Sequence, residues 1–142
     1  MGGSISVPKL NFEDIVYILK IHKFDKSRYI IINTMPNDMQ THLILGTLKI
    51  DEEVSTLNSM IKSNIGVDIV IYGINCSDNS VIKKYEQLRK LGFYNVHVYL
   101  GGLFEWILLQ DIYGNESFQT SSNEKIDILK YRGNSHLVNV NV

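Results

Sequence analysis

The sequence has little of what small metal centres and disulfide scaffolds are built from. Its 142 residues include one cysteine, four histidines and two prolines, and no Cys/His cluster has the spacing of metal ligands. We therefore expect no internal disulfide, no metal centre and no other cofactor. A lone cysteine is typical of a reducing compartment, which predicts a cytoplasmic protein.

Charge and long apolar runs are also scarce. The formal net charge is −1, so no overall field attracts nucleic acid or anionic lipid, and we expect no nucleic-acid partner. No apolar run approaches the length of about 18 residues that a membrane span needs. The remaining composition, 44% hydrophobic and 20% charged, is that of an ordinary globular domain.

The length suits a single domain with a core of its own. We predict a flexible leader over 1–10, one folded domain over 11–113, and a loosely attached C-terminal arm over 114–142. The arm is assigned because polar residues replace the periodic pattern after Tyr113.

The first six residues, MGGSIS, satisfy the pattern for N-myristoylation at Gly2. The alternative interpretation is a short flexible leader or a linker left by cloning. One acyl chain gives only weak, reversible membrane binding, and neither a nearby cysteine nor a polybasic run supplies a second signal. An acylated Gly2 therefore predicts weak, peripheral membrane association.

Strand and helix patterns alternate through the predicted domain. The patterns predict helices over 12–21, 53–62 and 79–91 and from 103 onward, and strands over 28–33, 47–50, 67–72 and 95–100. The core-facing helix positions are expected to be Val54, Leu57, Ile61, Val81, Tyr85 and Leu88. Alternation of this kind indicates a parallel sheet with helices on both faces, whose sites gather where strands end.

The loop after the strongest strand holds the only cysteine. It comprises Gly73, Ile74, Asn75, Cys76, Ser77, Asp78, Asn79 and Ser80. A strand-to-helix turn can present its backbone N–H groups to an anion, so the loop is a candidate anion-binding site with Cys76 as candidate nucleophile. The alternative is a small loop residue at 76, with Ser77, Asp78 or Asn79 capping the next helix.

A motif downstream resembles the rhodanese-like domain of the sulfurtransferase superfamily. Gly92 and Phe93, then Val96, Gly101, Gly102 and Trp106, match in order and spacing its G-F-x-x-V strand and Gly-Gly-x-x-x-Trp turn. The segment 43–47, LILGT, resembles the family's His-Ile-Pro-Gly-Ala. The resemblance covers most of 10–112. It implies a three-layer α/β fold, with a mostly parallel central sheet of about five strands and helices on both faces.

The loop departs from the pattern of active members in that family. Aligning 70–72 with the family's central strand puts Gly73 at the catalytic cysteine position. A competing alignment makes Cys76 the nucleophile and needs the strand to continue through a turn signal. The family's flanking arginines are missing, and Asp78 would raise the pKa of a nearby thiol. Asn33 stands where the family has an aspartate.

These departures favour a degenerate, non-catalytic member that acts as a binding or structural module. One alternative is a thiosulfate or persulfide sulfurtransferase that uses Cys76, and a second is phosphatase or arsenate-reductase chemistry on the same fold. A protein partner or larger assembly is expected. Its candidate contact surface is the arm together with the apolar helix 103–112, which carries Phe104, Trp106, Ile107, Leu108 and Leu109.

Overall fold

Four parallel strands alternate with four helices in the computed structural model, which describes residues 6–138. The strands are β1 (Lys9–Leu10), β2 (Tyr29–Asn33), β3 (Asp68–Tyr72) and β4 (Val96–Tyr99), and the helices are α1 (Phe12–His22), α2 (Glu53–Ser63), α3 (Ser80–Lys90) and α4 (Gly102–Tyr113). The sheet order is β1-β4-β3-β2, with every pairing parallel. In the described part of the chain, no helix is both long and apolar enough to cross a membrane.

The sheet separates two apolar layers, as the α/β prediction requires. Ile31 and Val70 face a core that includes Ile15 of α1 and Trp106 of α4. Their strand neighbours face the opposite core, formed with α2 and α3 and containing Ile30, Ile32, Ile69, Ile71, Leu57, Tyr85 and Leu88. Successive side chains of a strand point to opposite faces, and a parallel sheet covered on both sides needs apolar residues throughout. The three-layer prediction is confirmed.

The caps of two helices follow from sequence. The side chain of Asn11 accepts a hydrogen bond from Asp14 N at 3.1 Å, and Asp14 Oδ2 accepts one from Asn11 N at 2.9 Å, forming a reciprocal capping box that begins α1. At the end of α3, Gly92 has φ +106°, a conformation that favours glycine after a helix.

The sheet has four strands in the described residues rather than about five, and the strand predicted over 47–50 is wrong. Thr47 makes a single parallel bridge to Ile31, and the chain then enters a 3₁₀ turn at Ile50–Glu52. Local bonds explain the difference. Thr47 N and Oγ1 both donate to Ile44 O, at 3.1 and 2.6 Å, so this segment is a turn and cannot extend along β2.

The predicted inner face of α2 is wrong at two of its three positions. Leu57 is buried, whereas Val54 is 68% exposed and Ile61 is 38% exposed. The inward stripe includes Glu53 instead, because its carboxylate lies 2.6 Å from Lys84 Nζ of α3. The less exposed positions of α2 are 53, 56, 57 and 60. The predicted inner face of α3, Val81, Tyr85 and Leu88, is buried as expected.

The C-terminal segment is not loosely attached between residues 118 and 131. Phe118 and Tyr131 are buried in the core beside α1 and α4. Gln119 O accepts hydrogen bonds from Trp106 Nε1 and from Leu45 N, both at 3.0 Å. Sequence periodicity missed these contacts because they come from isolated residues in irregular structure. At the other end, Lys9 and Leu10 were predicted to belong to the flexible leader, but they form β1 and pair with β4. The other domain limits remain a prediction.

Candidate functional site

The loop over residues 73–80 leaves the carboxyl end of β3 and leads into α3. Its first carbonyl groups are satisfied by the start of α4, since Leu103 N donates to Gly73 O at 2.9 Å and Phe104 N donates to Ile74 O at 2.8 Å. Gly102 makes this close approach feasible. Its φ is +68°, and a Cβ there would stand 2.7 Å from Gly73 O, so the Gly-Gly turn has a steric reason at its second glycine.

A carboxylate of the protein itself fills the inside of the loop. Asp78 Oδ2 accepts a hydrogen bond from Ile74 N at 3.1 Å, and Asp78 Oδ1 accepts one from Ser80 N at 3.0 Å. A Cβ on Gly73 would lie 2.9 Å from Asp78 Cγ and 2.7 Å from Val81 Cγ2. The Asp78 carboxylate therefore occupies the space in front of residue 73 and binds two of the backbone N–H groups that an external anion would need.

The middle of the loop is held by Asn75 and covered by the C-terminal segment. Ser77 N donates to Asn75 Oδ1 at 2.9 Å, while Asn75 Nδ2 donates to Tyr131 O at 3.0 Å. A Cβ on Gly133 would lie 3.1 Å from Ser77 Oγ. The segment from Tyr131 to Gly133 thus lies against the loop. Sequence reasoning missed this cover, for which the available signal was the apolar residues Ile126, Ile128, Leu129 and Tyr131 within a polar stretch.

Cys76 is exposed, and none of the described hydrogen bonds reaches its Sγ. The three arginines of the chain are engaged elsewhere. Arg28 lies over the Tyr29 ring, and Arg89 and Arg132 donate to the carbonyls of Phe93 and Leu129. None of the described hydrogen bonds joins an arginine side chain to the loop, so no arginine is bound there to activate a thiolate. Within residues 6–138, no three His, Cys, Asp or Glu side chains are grouped to hold a metal ion.

The start of α3 matches the capping interpretation of the loop in a specific way. Asn79 is the N-cap residue but its side chain makes no capping bond. Asp78 performs that task by accepting from Ser80 N and from Ser80 Oγ. Ser80 Oγ also lies 2.8 Å from Thr34 Oγ1, which ties the loop to the end of β2.

The position after β2 carries a neutral amide network. Asn33 is buried, and its Oδ1 accepts from Met35 N at 3.0 Å and from Gln40 Nε2 at 2.8 Å. Its Nδ2 donates to Gln40 Oε1 at 3.0 Å. The two amides satisfy each other, so the position presents no charge to the loop.

The motif residues downstream lie in the core. Phe93 and Trp106 are fully buried. The Trp106 ring packs edge-on against Phe118 at 5.1 Å and Tyr99 at 6.3 Å between centroids, an arrangement that aromatic pairs favour. These residues build the scaffold that holds α4 against the loop.

Solved structures match this architecture, whereas no protein-family model and no curated protein sequence matches the chain. The rhodanese-like domain of the Alr3790 protein from Anabaena sp. superposes with a TM-score of 0.53 and 20% identity, over 86% of this chain and 89% of that one. The BH2092 protein from Bacillus halodurans gives a TM-score of 0.55 at 17% identity, with 87% of each chain covered. A thiosulfate sulfurtransferase from Pseudomonas aeruginosa gives 0.55 at 17% identity, over 72% of this chain and 19% of its own.

Identities of this size establish the fold and leave the activity open. The expected resemblance is confirmed at that level: this chain has the rhodanese-like fold.

Proposed function

We propose that this chain is a non-catalytic rhodanese-like module that binds or supports a partner. The observation that supports this most directly is the Asp78 carboxylate inside the loop. It accepts hydrogen bonds from Ile74 N and Ser80 N, and it lies against the position that a side chain on Gly73 would occupy. A negative charge bound by the loop's own N–H groups opposes both a thiolate and an anionic substrate at the same place.

The enzymatic alternative is a sulfurtransferase with Cys76 as nucleophile. Its thiolate would attack the outer sulfur of thiosulfate, forming a Cys76 persulfide and releasing sulfite with the electron pair of the broken S–S bond. Cyanide would then take the outer sulfur as thiocyanate and restore the thiolate. Two features weigh against this step: Ser77 N is already bonded to Asn75 Oδ1, and the Asp78 carboxylate accepts hydrogen bonds from Ile74 N and Ser80 N.

Phosphatase or arsenate-reductase chemistry has less support. Such sites need a guanidinium beside the anion, and the three arginines of this chain contact a tyrosine ring or backbone carbonyl groups. Asp78 would also repel the doubly charged substrate.

Part of α4 remains available for a partner. Leu103, Trp106 and Ile107 are buried, but Ile112 is 67% exposed and Tyr113 is 71% exposed. The candidate contact surface is thus reduced to the C-terminal end of the helix and the adjoining arm. This is a smaller area than the sequence predicted, and it suits a weak or composite contact.

Membrane association through Gly2 is a separate part of the proposal, because Gly2 lies outside the described residues. Co-expression with an N-myristoyltransferase in the presence of an alkynyl myristate would label the wild type and not Gly2→Ala. Labelling of neither, or of both, would contradict acylation at this residue.

The test of the non-catalytic role is a sulfur-transfer measurement. The protein is treated with thiosulfate and then cyanide, while thiocyanate and intact mass are recorded beside Cys76→Ala. We expect thiocyanate formation at the rate of the Cys76→Ala control and no added sulfur. An added sulfur on the wild type alone, with turnover above the control, would overturn the proposal.

A further inference from the structure

A second candidate site lies at the open edge of the sheet, away from the loop. A groove of about 580 Å³ runs between the end of α1, the first half of β2 and α2. Volumes of this size are typical of small-molecule sites. Tyr29, Ile30 and Ile31 line the groove near the amino end of β2, whereas the loop over 73–80 follows the carboxyl end of β3.

The groove exists because the segment after Gly46 does not continue as a strand. It joins β2 at one bridge, between Thr47 and Ile31, so the edge beside Tyr29 stays uncovered. Apolar side chains of α1, β2, α2 and the connection over 45–48 form its inner surface, namely Leu19, Ile30, Ile31, Leu45, Leu48 and Met60. An apolar ligand group placed there would be removed from water, which is the main source of affinity in such sites.

The rim is cationic. Lys23, Lys26 and Lys49 line the groove. In the described residues none of these three lysines lies within 4.0 Å of a carboxylate, since the salt bridge found there joins Lys84 and Glu53. One acidic residue, Glu52, also lines it. Among the lining residues, three lysines stand against one carboxylate, so the lining itself carries a net positive charge in a chain whose net charge is −1.

The end of α1 places carbonyl groups and a histidine beside these lysines. The last carbonyls of α1 are occupied, since Leu19 O accepts from Lys23 N and Ile21 O accepts from Phe24 N and Asp25 N. His22 lines the groove too, and burial, followed by the nearby charge of Lys26, lowers the pKa of its imidazole. His22 therefore adds little positive charge at neutral pH, while Asp25, whose charge acts on His22, is a second carboxylate near the rim.

We propose that this groove binds a small amphipathic anion, a molecule with an apolar body and a carboxylate head like that of a fatty acid. The body would lie on the apolar inner surface and the head among the three lysines. This inference rests on the proposed binding role and names the class of ligand for it. The groove and the loop lie toward opposite ends of the strands, so the sulfur-transfer assay and a ligand titration can fail independently.

The first probe is a matched pair of dyes. 1-Anilinonaphthalene-8-sulfonate carries an apolar body and an anionic group, and N-phenyl-1-naphthylamine is its neutral counterpart. We expect saturable binding of the sulfonate with one site per folded chain. Lys23→Gln/Lys26→Gln/Lys49→Gln should weaken it about tenfold, a loss consistent with three exposed charges, and should leave the neutral dye within about twofold. Glu52→Gln should tighten it by roughly twofold.

The matched control is Lys62→Gln/Lys90→Gln/Lys125→Gln, which removes the same charge from exposed lysines outside the groove. Equal weakening by the control triple, or none by the groove triple, would overturn the proposal. Dodecanoate should displace the sulfonate at least tenfold more effectively than dodecanol or inorganic phosphate. Displacement by phosphate as good as by dodecanoate would mean that charge alone is recognised, which also contradicts it.

Discussion

The carboxylate of Asp78 lies in the space that a side chain on Gly73 would need. A Cβ at Gly73 would be 2.9 Å from Asp78 Cγ, and the same carboxylate accepts a hydrogen bond from Ile74 N, the next residue along the chain, at 3.1 Å. The loop thus pairs a glycine with an internal anion. Each of the two residues makes room for the other, so they should be coupled in stability.

That coupling is measurable with a double-mutant cycle. Gly73 does not have a positive φ, so the cost of Gly73→Ala is steric, about 1–3 kcal/mol for overpacking. Asp78→Ala removes the acceptor of two N–H groups and should cost about 1–3 kcal/mol. In urea unfolding, we expect the double variant to lose at least ~1 kcal/mol less free energy of unfolding than the sum of the losses in the two single variants.

The control cycle combines Gly73→Ala with Asp111→Ala, an exposed carboxylate on α4. Those two changes should add within about 0.5 kcal/mol. Additive losses for Gly73 and Asp78 as well would contradict the placement of the carboxylate against residue 73.

The contact between α4 and the loop predicts that two glycine-to-alanine variants lose different amounts of stability. Gly102 and Gly92 both have positive φ, +68° and +106°, so each substitution by alanine has a backbone cost of about 1–2 kcal/mol. A Cβ at Gly102 would also meet Gly73 O and Asn75 N at 2.7 and 2.9 Å, whereas a Cβ at Gly92 would make only an ordinary contact with Ile65 Cδ1 at 3.5 Å. Gly102→Ala should therefore cost at least ~1 kcal/mol more in thermal or urea unfolding. Equal costs would mean that the close approach is not formed.

The C-terminal segment should contribute strongly to the free energy of unfolding. Phe118 is buried, with ring centroids 5.1 Å from Trp106 and 6.0 Å from Phe12. We expect Phe118→Ala to cost about 3–5 kcal/mol. Leu137→Ala, at a residue that is 91% exposed, should change the stability by less than about 0.5 kcal/mol. A small effect at both positions would support the prediction of a loosely attached arm.

Buried histidine should make stability depend on pH. His42 is buried, with neither ring nitrogen bonded to a partner in the described residues. Burial lowers the pKa of His42 below 6.5, a shift that nearby Glu124 opposes. The folded state then binds fewer protons than the unfolded state, so stability should fall as pH drops below about 6.5.

Urea unfolding between pH 5.5 and 8 checks this with His42→Leu. The variant should be more stable than the wild type by about 1–3 kcal/mol, because two unsatisfied nitrogens are removed, and its stability should change less with pH. The pKa of His22 is lowered too, by burial and by Lys26. The stability of the double variant His22→Gln/His42→Leu should therefore change even less with pH. An unchanged slope in His42→Leu would contradict a neutral, buried His42.

Much of the fold could be predicted from sequence because it rests on local patterns. The Asn11/Asp14 capping box, the apolar stripe of α3 and the β-branched run of β3 each carry their own signal. The failures involve bonds between distant residues. Glu53 lies on the inner side of α2, where it pairs with Lys84, and Tyr72 OH, bonded to Thr47 Oγ1 at 2.7 Å, helps hold a turn where a strand was predicted.

The loop shows the same division. Its position after β3 and its missing arginines could be read from sequence. The direction of the Asp78 side chain could not, because an aspartate before a helix is equally able to face solvent, cap the helix or turn into the loop. Here it both caps Ser80 and binds Ile74 N. The inward direction requires the absence of a side chain at Gly73, a steric condition that the sequence pattern does not reveal.

The most direct test of an internally occupied loop is a thiosulfate titration followed by the backbone amide signals of residues 74–80 in ¹⁵N–¹H spectra. In the wild type we expect no saturable shift at Ile74 or Ser80, because Asp78 already holds both N–H groups. In Asp78→Ala, the freed amides should shift with weak, millimolar affinity. Saturable shifts of Ile74 and Ser80 in the wild type, equal to those of Asp78→Ala, would contradict the proposal that this loop has replaced its substrate anion with its own carboxylate.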